Sequence, residues 1–200
     1  MRELWLVRHG ETRANLEKRY PDIGAALTET GRAQARAILP LLEGVTFDHI
    51  LSSPLIRALE TAGECGFALE SHTDPRLREL EYGLLTGLNW LEIEQKYGSD
   101  ALMWLEHAAN PRSSEGLPGG ESGFEFHARA QSFLDGLLER KTLAFTHGGF
   151  IRALLKLYFD LSAVDLEPGS LTVLRQMGAV WGLSRLNVSG RYPNSVQASS

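Results

Sequence analysis

The chain has 200 residues and a formal net charge of −5, with 43% hydrophobic and 22% charged residues. This length is typical of a single globular domain whose core needs no disulfide or metal to hold it together. The negative balance gives no electrostatic reason to expect nucleic acid or an anionic membrane as a partner. If the protein binds an anion, it must do so with a few focused cations.

The sequence favours a cytoplasmic protein. Cys65 is the only cysteine, which excludes an intramolecular disulfide and fits a reducing compartment. No apolar run approaches the roughly 18 residues of a membrane span. The first apolar run is short and ends at Arg8, which is unlike a secretory signal peptide.

Short apolar runs predict strands that are buried on both faces. They lie at residues 4–7, 50–51 and 142–145. Two later runs, residues 171–174 and 180–186, are expected to pair as neighbours across a turn at Gly178.

Helical patterns lie between these strands. Thr28 can cap a helix that begins near Glu29, and Pro40 is expected to kink or end it. Ser53 followed by Pro54 is typical of another helix start. Two later segments repeat apolar residues at about 3.6-residue intervals. Their apolar faces are Phe126, Ala130, Phe133, Leu134 and Leu137, and Ile151, Leu154, Leu155 and Tyr158.

Alternating strands and helices indicate an α/β fold, a three-layer α/β/α sandwich with a mainly parallel central sheet. We expect one domain over residues 1–193. Residues 83–122 are the least regular part and are expected to form an excursion over the sheet and its active site. The polar residues 194–200 are expected to be a disordered tail.

Polar residues follow three of the predicted strands. Arg8 and His9 follow the first, Ser53 and then Arg57 follow the second, and His147 follows the third. In open α/β sheets ligands bind at the carboxyl ends of the strands, so these residues should converge. Arginine binds phosphate oxygens in bidentate fashion, and a neutral imidazole is a competent nucleophile toward phosphorus. The sequence therefore predicts a phosphate pocket in which neighbouring cations lower the pKa of His9.

Other chemistries fit the sequence less well. Two histidines could bind zinc, but adjacent arginines repel a cation and no H-E-x-x-H motif is present, so no metal is expected. Ser71, not arginine, lies six positions after Cys65, which excludes a cysteine-based phosphatase. There is no G-x-x-x-x-G-K-[ST] or G-x-S-x-G motif. The remaining histidines are interpreted as structural or exposed; they are His49, His72, His107 and His127.

Residues 6–12, Leu-Val-Arg-His-Gly-Glu-Thr, resemble the signature of the histidine phosphatase superfamily, in the branch that contains phosphoglycerate mutases and small phosphatases. Further blocks match in the same order, and the matching positions extend from Leu4 to about Arg152. These blocks are residues 27–35, 52–62, 77–83, 118–122 and 146–149. The resemblance implies a phosphoglycerate mutase-like fold and phosphoryl transfer without a cofactor.

The resemblance also implies roles for individual residues. His9 would be the nucleophile that becomes phosphorylated. Glu79 would be the general acid, which must carry a proton when the substrate binds and later deprotonates the attacking water. Glu81 is its local alternative, since alternate residues of an extended segment share a face. The implied phosphate-binding residues are Arg8, Asn15, Arg57, His147 and Gly148.

The sequence favours a phosphatase over a mutase. A mutase must hold a second phosphate, but residues 80–118 contain only two full cations, Lys96 and Arg112, against six acidic residues. A phosphoglycerate mutase-type enzyme and a non-catalytic phosphate-binding regulator remain the alternatives. The chain length and block spacing resemble those of alpha-ribazole phosphatases and nearby broad-specificity phosphatases.

The expected partner is a small phosphate ester. Where the family often has a tryptophan–glutamate pair after its acid, this chain has Leu85 and Thr86, which are expected near the substrate entrance. Trp90 and Trp104 could form an aromatic wall there or could pack in a core. A homodimer through edge strands or residues 83–122 stays open.

Overall fold

The structure is a computed structural model that describes residues 1–138, 140–161 and 163–190. The predicted tail, residues 194–200, lies outside these ranges. Within them, one sheet contains six strands: β1 (Arg2–Arg8), β2 (His49–Ser52), β3 (His72–Thr73), β4 (Lys141–Thr146), β5 (Ser170–Met177) and β6 (Val180–Ser189). Their order is β3-β2-β4-β1-β5-β6. Strands β3, β2, β4 and β1 are parallel to one another, and β5 pairs antiparallel with both β1 and β6.

Seven α-helices lie in the same described ranges. They are α1 (Arg13–Leu16), α2 (Glu29–Leu42), α3 (Ile56–Glu64), α4 (Trp90–Tyr97), α5 (Asp100–Ala109), α6 (Gly123–Asp135) and α7 (Gly148–Phe159). Two short 3-10 helices are Pro75–Leu77 and Gly83–Leu85. None of the helices described has the length and apolar character needed to cross a membrane.

Helices cover both faces of the sheet, which confirms the predicted α/β sandwich. Because side chains alternate along a strand, Leu4 and Leu6 of β1 join a core with α6 and α7. Trp5 and Val7 join a second core with α2 and α3. Burial on both faces explains why β1 appears in the sequence as an unbroken apolar run.

The sequence predicted the start of α2 correctly but not the start of α3. Thr28 caps α2 as predicted, with its side chain accepting a hydrogen bond from Gly31 N, and Pro40 lies inside α2 close to its end. The predicted cap at Ser53 is wrong, because α3 begins at Ile56 with Leu55 in the N-cap position. The Ser53 hydroxyl instead contacts a histidine, as described below.

The last two strands form the predicted hairpin. Met177 pairs with Val180, which leaves a two-residue turn, and Gly178 in that turn has a φ of 62°. A positive φ in such a turn is readily adopted by glycine.

Two of the residues that the sequence placed on apolar helix faces differ from the rest. Leu137 is buried but lies just after the end of α6, and Tyr158 is only half-buried.

Residues 83–122 are more regular than the sequence indicated. They contain α4 and α5 and have their own apolar cluster, made of Leu85, Ile93, Ala101, Ala108 and Leu117. Backbone hydrogen bonds join this segment to the loop after β1: Tyr20 N donates to Leu88 O at 3.0 Å, and Gly87 N donates to Tyr20 O at 2.8 Å. The segment and that loop therefore form one structural unit.

The start of α2 packs directly against the loop that carries His9. A Cβ atom added at Gly31 would lie 2.1 Å from Glu11 O, and one added at Gly10 would lie 2.2 Å from Gly31 O. Neither position tolerates a side chain without moving backbone. This close approach fixes the loop immediately after β1.

We predict that Gly31→Ala destabilises the protein by about 1–3 kcal/mol, because the added methyl group forces two backbone segments apart. Gly63→Ala is the matched control, since Gly63 also lies in a helix but its added Cβ would approach only Ala68 Cβ, at 3.9 Å. The control should stay within about 1 kcal/mol of the native protein. Urea unfolding measures both variants, and equal stability of the two would contradict the close packing.

Candidate active site

Three strand ends meet at one edge of the sheet. In the register of the parallel strands, Arg8 lies beside Thr146, and Ser52 lies beside Phe145. The next residues continue this ladder, because His9 N and Ser53 N each donate to a carbonyl oxygen of β4 at 2.9 Å. The residues predicted to converge after β1, β2 and β4 are therefore adjacent.

His9 is buried, with only 3% of its surface exposed. Its Nδ1 lies 2.7 Å from Gly10 O. Because a peptide oxygen only accepts, the proton of the neutral ring lies on Nδ1, and Nε2 keeps its free lone pair. Burial, followed by the positive charges of Arg57 and Arg8, holds the pKa of His9 well below its usual value. The ring is thus neutral at neutral pH, as predicted.

His147 lies against His9, with ring centroids 5.2 Å apart. Its Nε2 is 2.8 Å from Ser53 Oγ, and the same hydroxyl accepts a hydrogen bond from Leu55 N at 3.3 Å. Burial and then the Arg57 charge lower the pKa of His147 well below its usual value. Ser53, which the sequence suggested as a helix cap, therefore positions the second histidine.

Arg8 and Arg57 both place their guanidinium groups close to His9. Arg57 lies in the first turn of α3, is 1% exposed and donates from Nη1 to Asp22 O at 3.0 Å. Arg8 Nη1 donates to Leu166 O. Within the described part of the chain, Arg8 Nε, Arg57 Nε and His147 Nδ1 are buried without a hydrogen-bond partner. Such an array of donors is suited to an oxyanion such as phosphate.

Glu79 lies beside the N-terminus of α7 and is 7% exposed. Its Oε2 accepts a hydrogen bond from Gly149 N, and its Oε1 accepts one from Leu80 N, both at 3.1 Å. A Cβ atom at position 149 would lie 2.0 Å from Glu79 Oε1. The second glycine of the Thr-His-Gly-Gly block therefore provides the space that this carboxyl group occupies.

Glu81 has a different environment from Glu79. The sequence placed both on one face of an extended segment, but the Glu81 side chain is 51% exposed and pairs with Arg78 at 3.1 Å. Both residues line the same cleft, but only Glu79 is buried.

Arg129 of α6 fixes the segment that carries Glu79. Its guanidinium group donates to the carbonyl oxygens of Arg76, Arg78 and Glu79 at 2.7–2.9 Å. It also forms two 2.7 Å contacts with Glu121. Sequence reasoning missed Arg129, because an arginine on an amphipathic helix is usually solvent-exposed. The only sequence feature that could have indicated this contact is Glu121, because it lies in the block of residues 118–122, to which no role was assigned.

The other two residues predicted to bind phosphate, Asn15 and Gly148, lie in the first turns of helices. Asn15 Oδ1 accepts from Thr12 N at 2.9 Å in the capping box of α1, so only its NH₂ group is a donor for a ligand. Gly148 is the first residue of α7, where the helix dipole favours an anion.

The cleft beside these residues has a volume of about 530 Å³, and Arg57, Glu79, Tyr82 and Thr86 contribute to its wall. Leu85 is buried in the apolar cluster of residues 83–122 and does not line the cleft. We call this space the catalytic cleft. Burial and then the Glu79 charge raise the pKa of Tyr82.

Neither Trp90 nor Trp104 lines the catalytic cleft. Trp90 is exposed, and Trp104 packs against Tyr97 with ring centroids 5.3 Å apart. Two tyrosines, Tyr20 and Tyr82, stack beside the cleft instead, with centroids 4.7 Å apart. Sequence reasoning missed them, because Tyr20 reaches this position only through its backbone pairing with residues 87 and 88.

The other four histidines lie away from His9 or serve local contacts. His49 and His72 lie side by side on β2 and β3, and His107 Nδ1 is 2.8 Å from a serine hydroxyl. His127 Nδ1 is 2.7 Å from Gly123 O, within α6. Among the residues that the structure describes, no group of three or more histidine, cysteine, aspartate or glutamate side chains is arranged to hold a metal ion.

Comparison with known families agrees with this geometry. The model of the histidine phosphatase superfamily (branch 1) matches residues 4–189. The chain belongs to the histidine phosphatase superfamily. A relative from Yersinia pestis (strain Pestoides F), named Probable phosphoglycerate mutase GpmB, is 33% identical over 174 residues, which cover 82% of this chain and 77% of that protein.

Solved structures of other proteins have the same fold as this superfamily member. A mycobacterial glucosyl-3-phosphoglycerate phosphatase, in a complex with VO3, is 30% identical with a TM-score of 0.78 and covers 94% of this chain and 100% of its own. A candidate alpha-ribazole-5'-P phosphatase from Escherichia coli str. K-12 is 24% identical with a TM-score of 0.79, covering 94% and 98%. The predicted family and fold are confirmed.

We predict that Glu79→Gln slows turnover by about 10²–10⁴-fold, the usual contribution of a general acid and base. Gln keeps the shape of the side chain but cannot transfer the proton. Glu81→Gln is the matched control, and its turnover should stay close to the native rate because that carboxylate faces solvent. Steady-state kinetics on one ester compares the two variants. The reverse result, with loss only in Glu81→Gln, would exchange their roles.

Proposed function

We propose that this superfamily member is a metal-independent phosphomonoesterase that hydrolyses a small phosphorylated metabolite through a phosphohistidine on His9. The observation that carries the proposal is the free Nε2 of a buried, neutral His9 beside the guanidinium groups of Arg57, which is buried, and Arg8, which is half-buried. In this pocket a neutral nucleophile and fixed positive charge are available to the same phosphate.

In the first step, His9 Nε2 forms a bond to phosphorus while the bond from phosphorus to the ester oxygen breaks. Protonated Glu79 gives its proton to the leaving oxygen, so the product is an alcohol. Arg8 and Arg57 stabilise the charge on the phosphoryl oxygens. If Ser53 donates to His147 Nε2, the ring proton lies on Nδ1, which is then a further donor to phosphate.

In the second step, water attacks the phosphohistidine and the N–P bond breaks. The Glu79 carboxylate takes a proton from this water, which restores the acid form and frees His9 with inorganic phosphate as the product. Gly149 N and Leu80 N hold the carboxyl group in place throughout. One residue thus serves as acid and then as base.

The charge balance of the catalytic cleft supports hydrolysis over mutase chemistry. The catalytic cleft is lined by Asp22, Glu79 and Glu81, against the two cations Arg57 and Arg78. This balance disfavours a bisphosphorylated intermediate that must turn over within the cleft. One relative is named as a mutase and one similar structure is named as a phosphatase. These names therefore favour neither reaction. Alpha-ribazole phosphate is a candidate substrate through likeness of fold alone.

We also propose that the protein is cytoplasmic and that its partners include neither nucleic acid nor a membrane. A homodimer stays a prediction. Cys65 is buried, and burial raises the pKa of its thiol to about 12. Such a thiol is neutral and unreactive at neutral pH. This supports a structural role for Cys65.

We predict that the native protein hydrolyses para-nitrophenyl phosphate in excess EDTA and that His9→Ala reduces this activity to background. Removing the imidazole leaves phosphorus without its nucleophile. His72→Ala is the matched control, because His72 is exposed on β3 and should keep native activity. Release of nitrophenolate measures all three proteins.

Loss of native activity in EDTA would contradict the metal-free reaction. Activity that persists in His9→Ala would contradict the nucleophile. If native protein is inactive on this ester and on a panel of sugar, nucleotide and ribazole phosphates, but interconverts phosphoglycerates, the mutase alternative replaces the phosphatase. If the protein binds phosphate but converts none of these compounds, the alternative of a non-catalytic phosphate-binding regulator replaces the phosphatase.

A further inference from the structure

The backbone around His9 is held from several sides. His9 N donates to Thr146 O at 2.9 Å, and His9 O accepts a hydrogen bond from Gly169 N at 3.0 Å. The His9 ring is in turn bonded through Nδ1 to Gly10 O. The peptide group between His9 and Gly10 is therefore fixed at its oxygen, and the contact of its N–H group decides whether it can still tilt.

That N–H group is bonded to a threonine of another element. Gly10 N donates to Thr61 Oγ1 at 3.1 Å, and Thr61 is fully buried in α3. The Thr61 hydroxyl donates its own hydrogen to Arg57 O at 2.7 Å. Because a carbonyl oxygen only accepts, this second bond leaves a lone pair of the hydroxyl for the N–H group of Gly10. One hydroxyl group thus joins the loop of the nucleophile to the helix turn that carries Arg57.

The surroundings of this loop are tightly packed. A Cβ atom at Gly10 would lie 2.2 Å from Gly31 O, and one at Gly169 would lie 2.7 Å from Gln34 Cβ. A buried N–H group that loses its acceptor is unfavourable, so removal of the hydroxyl should tilt the peptide group instead of leaving it in place. Because the interior is closely packed, the tilt is passed on to the neighbouring His9 ring.

We propose that Thr61 is a positioning residue for phosphoryl transfer, whose hydroxyl group sets the place of His9 Nε2 relative to the phosphate that Arg57 binds. This inference rests on the proposed function. The attacking nitrogen must lie about 3–3.5 Å from phosphorus, and a displacement of about 1 Å can lower the rate about a hundredfold. The Thr61 hydroxyl controls this distance, because it contacts the backbone on both sides of it.

The first test separates the hydroxyl group of Thr61 from its methyl group. Thr61→Val removes the hydroxyl with little change of shape and should lower kcat by about 10–100-fold, while KM changes little because Arg8 and Arg57 remain. Thr61→Ser keeps the hydroxyl and should retain most of the native kcat. Thr142→Val is the matched control, since Thr142 is also fully buried but its hydroxyl has no hydrogen-bond partner in the described structure. Its kcat should equal that of the native protein.

Steady-state kinetics on para-nitrophenyl phosphate, well below the unfolding temperature of each variant, decides between positioning and packing. Native kcat in Thr61→Val overturns the proposal. So does an equal loss of kcat in Thr61→Val and Thr61→Ser, because the effect then belongs to the shape of the side chain. If Thr61→Val does not fold, Thr61→Ala and Thr61→Ser make the same comparison, since both lack the methyl group and differ only in the hydroxyl.

A second measurement needs no turnover and so separates this inference from the proposed function. Nitrogen-15 NMR of the histidine rings should show His9 protonated on Nδ1 in the native protein and in Thr61→Ser. In Thr61→Val we expect a mixture of both tautomers, because Gly10 O is displaced from the ring. This change supports the positioning role even if no ester is hydrolysed, in which case only the proposed function fails. An unchanged His9 signal in folded Thr61→Val overturns the positioning role and leaves the phosphatase.

Discussion

The site depends on positive charge buried at one edge of the sheet. Arg57 is buried and Arg8 is half-buried, and the buried Nε atom of each has no hydrogen-bond partner in the described structure, which points to an anionic ligand. Burial, and then these charges, keep His9 and His147 neutral by lowering the pKa of both rings. A protein with a net charge of −5 therefore offers an anion a local concentration of cations at this edge of the sheet.

Backbone geometry does much of the positioning around these charges. Gly10 O fixes which nitrogen of His9 is free, and Gly149 N fixes the carboxyl group of Glu79. Arg129 donates to three carbonyl oxygens of the segment that ends at Glu79 and is itself held by Glu121. Such indirect contacts explain why short motifs distant in sequence occur together in this superfamily chain.

The sequence predicted the features that depend on local pattern. Apolar runs located the central strands, Thr28 marked a helix start, and the residues after β1, β2 and β4 converged because parallel strands end at one edge. It failed where a tertiary contact decides, because Ser53 binds His147 instead of capping α3. Arg129 and Tyr20 carry no local signal, since their neighbours come from other elements.

The central claim is that phosphate is transferred to Nε2 of His9. The most direct measurement mixes native protein rapidly with a radiolabelled phosphate ester, quenches the reaction in base, and maps the label by mass spectrometry and phosphorus NMR. The account predicts an acid-labile phosphate on His9, attached to Nε2 because Nδ1 is bonded to Gly10 O. Label on Nδ1, on another residue, or absent during turnover would contradict it.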